Sequence, residues 1–310
     1  MSNADPPPQA PPQGPTQSAA GTAAAFTAVS MWGLGNVLIA AIPLNGLVIG
    51  VYRLGLGTLV YLVVCYVRGI RLTARSFRYG LAGGIAFGLD IATFFLAVRN
   101  TSVSIAVTVS ALQPVVIAGV AAAAFGERIR PRHVVGTLVA VPAVALVAFA
   151  GGDDGARSTF GNVMAVAALF MWAAYFIASK KARETLPTME YMTVMNMVAF
   201  FTVCAIALPA GVLGEGASQM DLATALAIVG VVALPGSGHI FMNWAHGHTT
   251  LMLTSLATLT MPVVSTLGAW VFIGQQVTAA QMLGIAVVLV VLAFVVVGDG
   301  REVRMRRVKL

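Results

Sequence analysis

Apolar stretches of about 20 residues, long enough to cross a hydrocarbon core of about 30 Å, recur ten times along this chain, separated by short polar breaks. They cover 24–42, 47–67, 79–98, 103–125, 133–150, 160–179, 191–212, 222–242, 249–273 and 278–297. A backbone in lipid must satisfy its own hydrogen bonds, and runs of this length do so as helices. The pattern therefore predicts an all-α integral membrane protein with ten transmembrane helices. Residues 1–23, rich in Pro, Gln and Ala, read as a disordered tail. Residues 299–310 read as a short basic tail. The segments between them, 24–150 and 151–298, hold five spans each.

Charge supplies the orientation. When the connecting segments are assigned alternately to two sides, fifteen of the eighteen basic residues fall on one side. These are Arg68, Arg71, Arg75, Arg78, Arg128, Arg130, Arg132, Lys180, Lys181, Arg183, Arg301, Arg304, Arg306, Arg307 and Lys309. The other side holds only Arg99 and Arg157, and Arg53 lies within a span. Basic loops stay cytoplasmic, so both termini are expected inside, in a bacterial-type inner membrane. The net charge of +7 sits beside the spans. Its expected partner is therefore the anionic lipid surface rather than nucleic acid.

The two five-span segments share an internal repeat. At a shift of 148, Pro114, Val115, Val116, Ala121 and Gly126 match Pro262, Val263, Val264, Ala269 and Gly274. At a shift of 140, Met31-Trp32 matches Met171-Trp172. Five is odd, so the second copy enters the membrane inverted, as in many secondary transporters. The stretch 97–141 resembles the EamA-type repeat of the drug/metabolite transporter superfamily on Thr101-Ser102, Pro114 and Gly126-Glu127. The second copy keeps Thr249-Thr250 and Pro262 but has Gly274-Gln275 in place of Gly-Glu. The stretch 171–183, MWAAYFIASKKAR, looks like the bacterial aromatic amino-acid exporters of that superfamily. The resemblance implies ten helices, alternating access and a small-metabolite substrate.

Polar residues at depth are costly in lipid and mark candidate sites. Asn36, Gln113, His239 and Asn243 qualify, as does Asn196. Arg53 and Asp90 lie at similar depth and form either an ion pair or a proton site. Trp32, Phe94, Trp172, Tyr175 and Met261 are expected to wall a cavity, with Pro114 and Pro262 breaking their helices beside it. Gly80, Gly83, Gly84 and Gly88 are expected to allow close helix packing. No phosphate loop, metal spacing or cofactor motif is present in the sequence, so transport would draw on an ion or solute gradient.

The reading is a secondary transporter that exports or exchanges small amphipathic metabolites, with large apolar or aromatic amino acids foremost. A multidrug or lipophilic-cation exporter is the second reading. An intramembrane enzyme is a remote third, because Ser237 and His239 point about 200° apart on a helix. The orientation has a direct test. In a chain freed of Cys65 and Cys204, Gly155→Cys and Gly216→Cys should react with an impermeant thiol reagent added outside intact cells. Arg75→Cys should not, and the reverse pattern would invert the topology.

Overall fold

The computed structural model describes residues 18–101, 103–150, 158–214 and 219–308. Among them are ten helical spans long and apolar enough to cross a membrane. The helices are α1 Ala19–Ala40, α2 Gly46–Val67, α3 Ala74–Asn100, α4 Val103–Ser110, α5 Gln113–Phe125 and α6 Pro131–Phe149, then α7 Thr159–Arg183, α8 Thr188–Ala207, α9 Leu222–His246, α10 Leu251–Ala257, α11 Met261–Ile273 and α12 Ala279–Val308. The fourth span is split into α4 and α5. The ninth is split into α10 and α11, joined by a 3-10 turn, Thr258–Thr260.

The two chain-end boundaries move. Residues 1–17 of the expected tail lie outside the described residues, but 19–23 belong to α1. Ser18 starts that helix by accepting a hydrogen bond from the Gly21 amide, satisfying a donor with no intrahelical partner. At the other end the expected tail continues α12 to Val308. Asp299 anchors this extension. Its carboxylate accepts from Arg130 Nη1 at 2.7 Å, Arg132 Nε at 2.6 Å and His133 Nε2 at 3.1 Å.

The breaks differ in kind from kinks. Pro114 and Pro262 occupy the first turn of α5 and α11. A missing N–H costs nothing there, and the fixed φ suits a helix start. Each of these helices has thirteen residues and ends at a left-handed glycine, Gly126 at φ 60° and Gly274 at φ 68°. The amide of Glu127 returns to the Ala121 carbonyl, and that of Gln275 to Ala269. Every one of these pairs obeys the 148-residue shift.

Helix packing follows the same exchange. α3 packs on α7 as α1 packs on α9, while α2 meets α8 and α6 meets α12. The loops obey it too. Ser18 N and Oγ both donate to the His248 carbonyl, and Ser158 N and Oγ both donate to the Asn100 carbonyl. Gly21 and Gly161 lie against those same residues, at distances where a Cβ would clash. With an even number of spans both chain ends emerge on one side, called here the terminal face.

The glycine row on α3 lets α8 approach. A Cβ at Gly80, Gly84 or Gly88 would come within 2.6 Å or less of Val194, Val198 or Thr202, and one at Gly83 would strike the Tyr191 hydroxyl. Side-chain packing, rather than a hydrophobic drive, holds helices together in lipid. Gly84→Leu should therefore lower stability by about 1–3 kcal/mol, read as a lower midpoint in detergent melting. Gly119→Leu, with open space around it, should leave the midpoint unchanged.

Candidate functional site

At mid-depth the two repeats bring their matching tryptophans together. Trp32 and Trp172 meet edge to face with ring centroids 5.3 Å apart. Each lies thirteen residues into its helix, about 20 Å from that helix's start. His239 of α9 sits beneath them, 4.7 Å from Trp32 and 4.6 Å from Phe87 between centroids. Phe87 stacks on Tyr175 at 4.9 Å. The rings form one aromatic layer contributed by α1, α3, α7 and α9.

A polar chain runs through this layer. Arg53 Nη2 lies 3.0 Å from His239 Nε2, and His239 Nδ1 lies 3.1 Å from the Tyr175 hydroxyl. Asn243 Nδ2 donates to that hydroxyl at 2.8 Å and to the His239 carbonyl at 2.9 Å. A guanidinium has donors only, so Nε2 must accept. That assigns the proton to Nδ1, which donates to Tyr175. The guanidinium also lies 5.7 Å from the centre of the Phe87 ring, within reach of its π face.

The expected Arg53–Asp90 ion pair does not form: Arg53 turns to His239 instead. A neutral ring at contact distance claims the guanidinium without closing the gap to the carboxylate. Asp90 lies one turn beyond Phe87 on the same face of α3. It is near enough to Arg53 to feel its charge, but among the described residues its carboxylate makes no hydrogen bond. Both side chains are half-buried.

The remaining predicted residues divide. Met261 packs at the edge of the aromatic core, and Phe94 packs with Ala97, Ala106 and Ala165 further along α3. Gln113 stands apart, fully buried between the broken spans. Its Oε1 accepts from Ser255 and Thr258 at 3.2 Å each. Asn36 donates to Ser265 of α11 at 3.3 Å and is exposed. Asn196 binds the Leu54 carbonyl and the Thr58 hydroxyl, a structural link between α2 and α8. A shallow apolar groove of about 540 Å³ lies between α3 and α8, lined by Leu81, Ile85, Val198 and Phe201 among others, and holds none of these polar groups.

Sequence reasoning passed over Pro235. The Trp32 indole donates to the Pro235 carbonyl and the Tyr61 hydroxyl donates to the Gly236 carbonyl, each at 3.2 Å. Gly238 lies so close to Trp32 that a Cβ would come within 2.8 Å of the indole. The segment Pro235–His239 thus seats the tryptophan and presents the histidine. A proline four residues before a deep histidine was the available signal.

Sequence reasoning also missed a charged seal on the terminal face. Lys180, fully enclosed, donates to the carbonyls of His246 at 2.8 Å and Thr249 at 2.6 Å. Arg183 Nε donates to the Asn243 carbonyl at 3.0 Å. The Glu127 carboxylate accepts from the amides of Leu251 at 2.5 Å and Met252 at 3.0 Å. Cations at the end of α9 and an anion at the start of α10 both match the helix dipoles. The equivalent positions on the opposite face are Ala40, Pro43 and Gln275, all exposed, and among the described residues the Gln275 side chain makes no hydrogen bond. The loops are symmetric, but the charges are not.

Burial pushes the Glu127 carboxyl above its ordinary 4.5, against the pull of its two backbone donors and of nearby Lys180 and His133. The folded protein then holds a proton where the unfolded chain has released it. Stability should fall as pH rises from the ordinary carboxylate value through the raised one. Glu127→Gln is neutral throughout and keeps one acceptor, so it should flatten that step in melting curves taken between about pH 4 and pH 7. An unchanged step would assign the titration to another group.

Comparison with known proteins agrees with this architecture. One solved chain, described only as a crystal structure of a protein, is 22% identical, with a TM-score of 0.70 over 91% of this chain and 98% of its own. At that identity it speaks to the fold alone. No curated protein matches the chain. The family model described as EamA-like transporter family matches twice, over residues 19–149 and 159–297, one match per repeat. This chain, with its two inverted repeats meeting at a tryptophan pair, belongs to the EamA-like transporter family.

Proposed function

We propose that this protein is a secondary transporter that moves small amphipathic metabolites through the centre by alternating access, with large apolar or aromatic amino acids as the main class. One observation carries the reading: a hydrogen-bonded Arg53–His239–Tyr175–Asn243 chain set among aromatic rings at mid-depth, where the two repeats meet. Polar groups at that depth are costly, and those that are kept mark ligand or ion paths. Inverted-repeat transporters place their sites at the same junction. The aromatic layer suits an apolar body, and the half-buried charges suit a small polar head. Two or more clustered cations, as a phosphate ester needs, are absent among the described residues of the centre.

The charged seal supports a state closed on the terminal face, and the basic loops support reading that face as cytoplasmic. In this reading the opposite face, without that seal, opens to the outside, and the cycle must break the Lys180, Arg183 and Glu127 contacts to load solute from the cytoplasm. Such a cycle serves export or exchange across a bacterial-type inner membrane. A lipophilic-cation exporter is the second reading, favoured by the unpartnered Asp90 carboxylate beside the rings.

Purified protein in liposomes should take up amino acids such as phenylalanine or leucine, screened with and without a pH gradient. Trp172→Ala should cut that flux by about tenfold, the equivalent of roughly 1.4 kcal/mol, while melting and yield persist. Normal kinetics in a well-folded variant would make Trp172 a packing residue and remove the site from the tryptophan layer.

A further inference from the structure

We infer that Arg53 and Asp90 form a split receptor for a zwitterion, the guanidinium taking the carboxylate of a small α-amino acid and the Asp90 carboxylate taking its ammonium. This rests on reading the centre as the transport site, and it names what that site recognises.

Three observations carry it. First, the two charges are of opposite sign, at mid-depth, and not in contact with one another. Unlike charges in a low-dielectric interior attract strongly, and a pair kept for structure alone would close. Here His239 holds Arg53 at 3.0 Å and no ion pair with Asp90 forms. Second, both groups have unused capacity. Among the described residues the guanidinium makes one hydrogen bond of the five its donors allow, and the Asp90 carboxylate makes none. Both are half-buried rather than fully enclosed. Third, the surroundings fit the rest of such a ligand. Arg53 lies over the Phe87 ring, Asp90 follows Phe87 by one turn, and Trp32, which meets Trp172, packs on the His239 ring that holds Arg53.

A zwitterion supplies an anionic and a cationic head about 3 Å apart, each able to make charge-assisted bonds. Inserted between Arg53 and Asp90, it completes a row of alternating charge with no net charge added. A monocation would satisfy Asp90 and leave Arg53 uncompensated. A monoanion would do the reverse. Leaving a buried charge unpaired when its neighbour gains a partner is costly, so the site should discriminate against both. His239 is a positioning residue. Its Nε2 accepts from Arg53, and its Nδ1 is held by Tyr175, which Asn243 orients in turn.

The test uses three ligands that share one aromatic body: phenylalanine, phenethylamine without the carboxylate, and 3-phenylpropionate without the ammonium. Binding to the purified full-length protein is read by quenching of tryptophan fluorescence and by thermal shift. Phenylalanine should bind about tenfold or more tightly than either analogue, the scale of one lost charge-assisted contact. Arg53→Gln should bind phenylalanine no better than phenethylamine. Asp90→Asn should bind it no better than 3-phenylpropionate. A merely structural role would weaken all three ligands together and leave their ratios intact. Equal binding of the three ligands by the unmodified protein would overturn the assignment, as would variants that fold and keep the full discrimination. If either variant fails to fold, the ligand series on the unmodified protein decides alone. Flux separates the two levels of the argument. Liposomes that move tetraphenylphosphonium while phenylalanine neither binds nor competes would keep a transporter and discard the zwitterion receptor. Liposomes that move neither, with no binding, would discard both.

Discussion

A polar group inside a hydrocarbon layer has no water to turn to, and the arrangement of this protein depends on where such groups find partners. His239 is the point on which the centre turns. Its ring accepts from Arg53, donates to Tyr175 and is flanked by Trp32 and Phe87. It thereby ties together α2, α3, α7, α9 and α1. If the ring were replaced by an apolar group, the guanidinium would lose its protein hydrogen bond and could swing to Asp90. The same contact that builds the layer keeps two opposite charges apart.

The helix ends at the terminal face meet the same constraint in a different way. Ending a helix leaves amides and carbonyls without intrahelical partners. At the start of α10 the Glu127 carboxylate takes two amides. At the end of α9 and in the loop after it Lys180 and Arg183 take three carbonyls. Glu127, from the loop after α5, reaches α10 and so joins the two repeats, while Lys180 and Arg183 of α7 tie α9 and the loop after it within the second repeat. Because Gln275, Ala40 and Pro43 stand where the other copy carries Glu127, Lys180 and Arg183, one face acquires a charged seal and the other does not. Inverted symmetry alone would make the two faces equivalent, and these three differences break that equivalence.

Glycine sets how near the helices can come before these contacts form. Gly238 admits the Trp32 indole and Gly35 admits the Pro235 ring, so α1 and α9 lie close enough for the indole to reach the Pro235 carbonyl. The α3 glycines do the same for α8. The hydrogen bonds of the centre are therefore consequences of packing at positions with no side chain at all.

The ten spans, the inverted repeat and the matching tryptophans were legible in the chain because each depends on a local or periodic signal. Span length is set by bilayer thickness. The Pro114/Pro262 and Gly126/Gly274 pairs mark helix starts and ends that obey the same backbone rules in both copies. Trp32, Trp172, Tyr175, His239 and Asn243 could be named as deep polar or aromatic residues from depth alone. What depth cannot supply is direction. Arg53 and Asp90 lie at similar depth, and only the rotation of α2 against α9 sends the guanidinium to His239 instead. The seal was illegible for a related reason. Lys180 and Arg183 count as loop charges in a sequence, yet the fold turns both against carbonyls of α9 and the loop that follows it. The spacing of apolar residues determines how many helices cross the membrane. Their mutual rotation, a tertiary property set by side-chain packing, decides which of their polar groups meet.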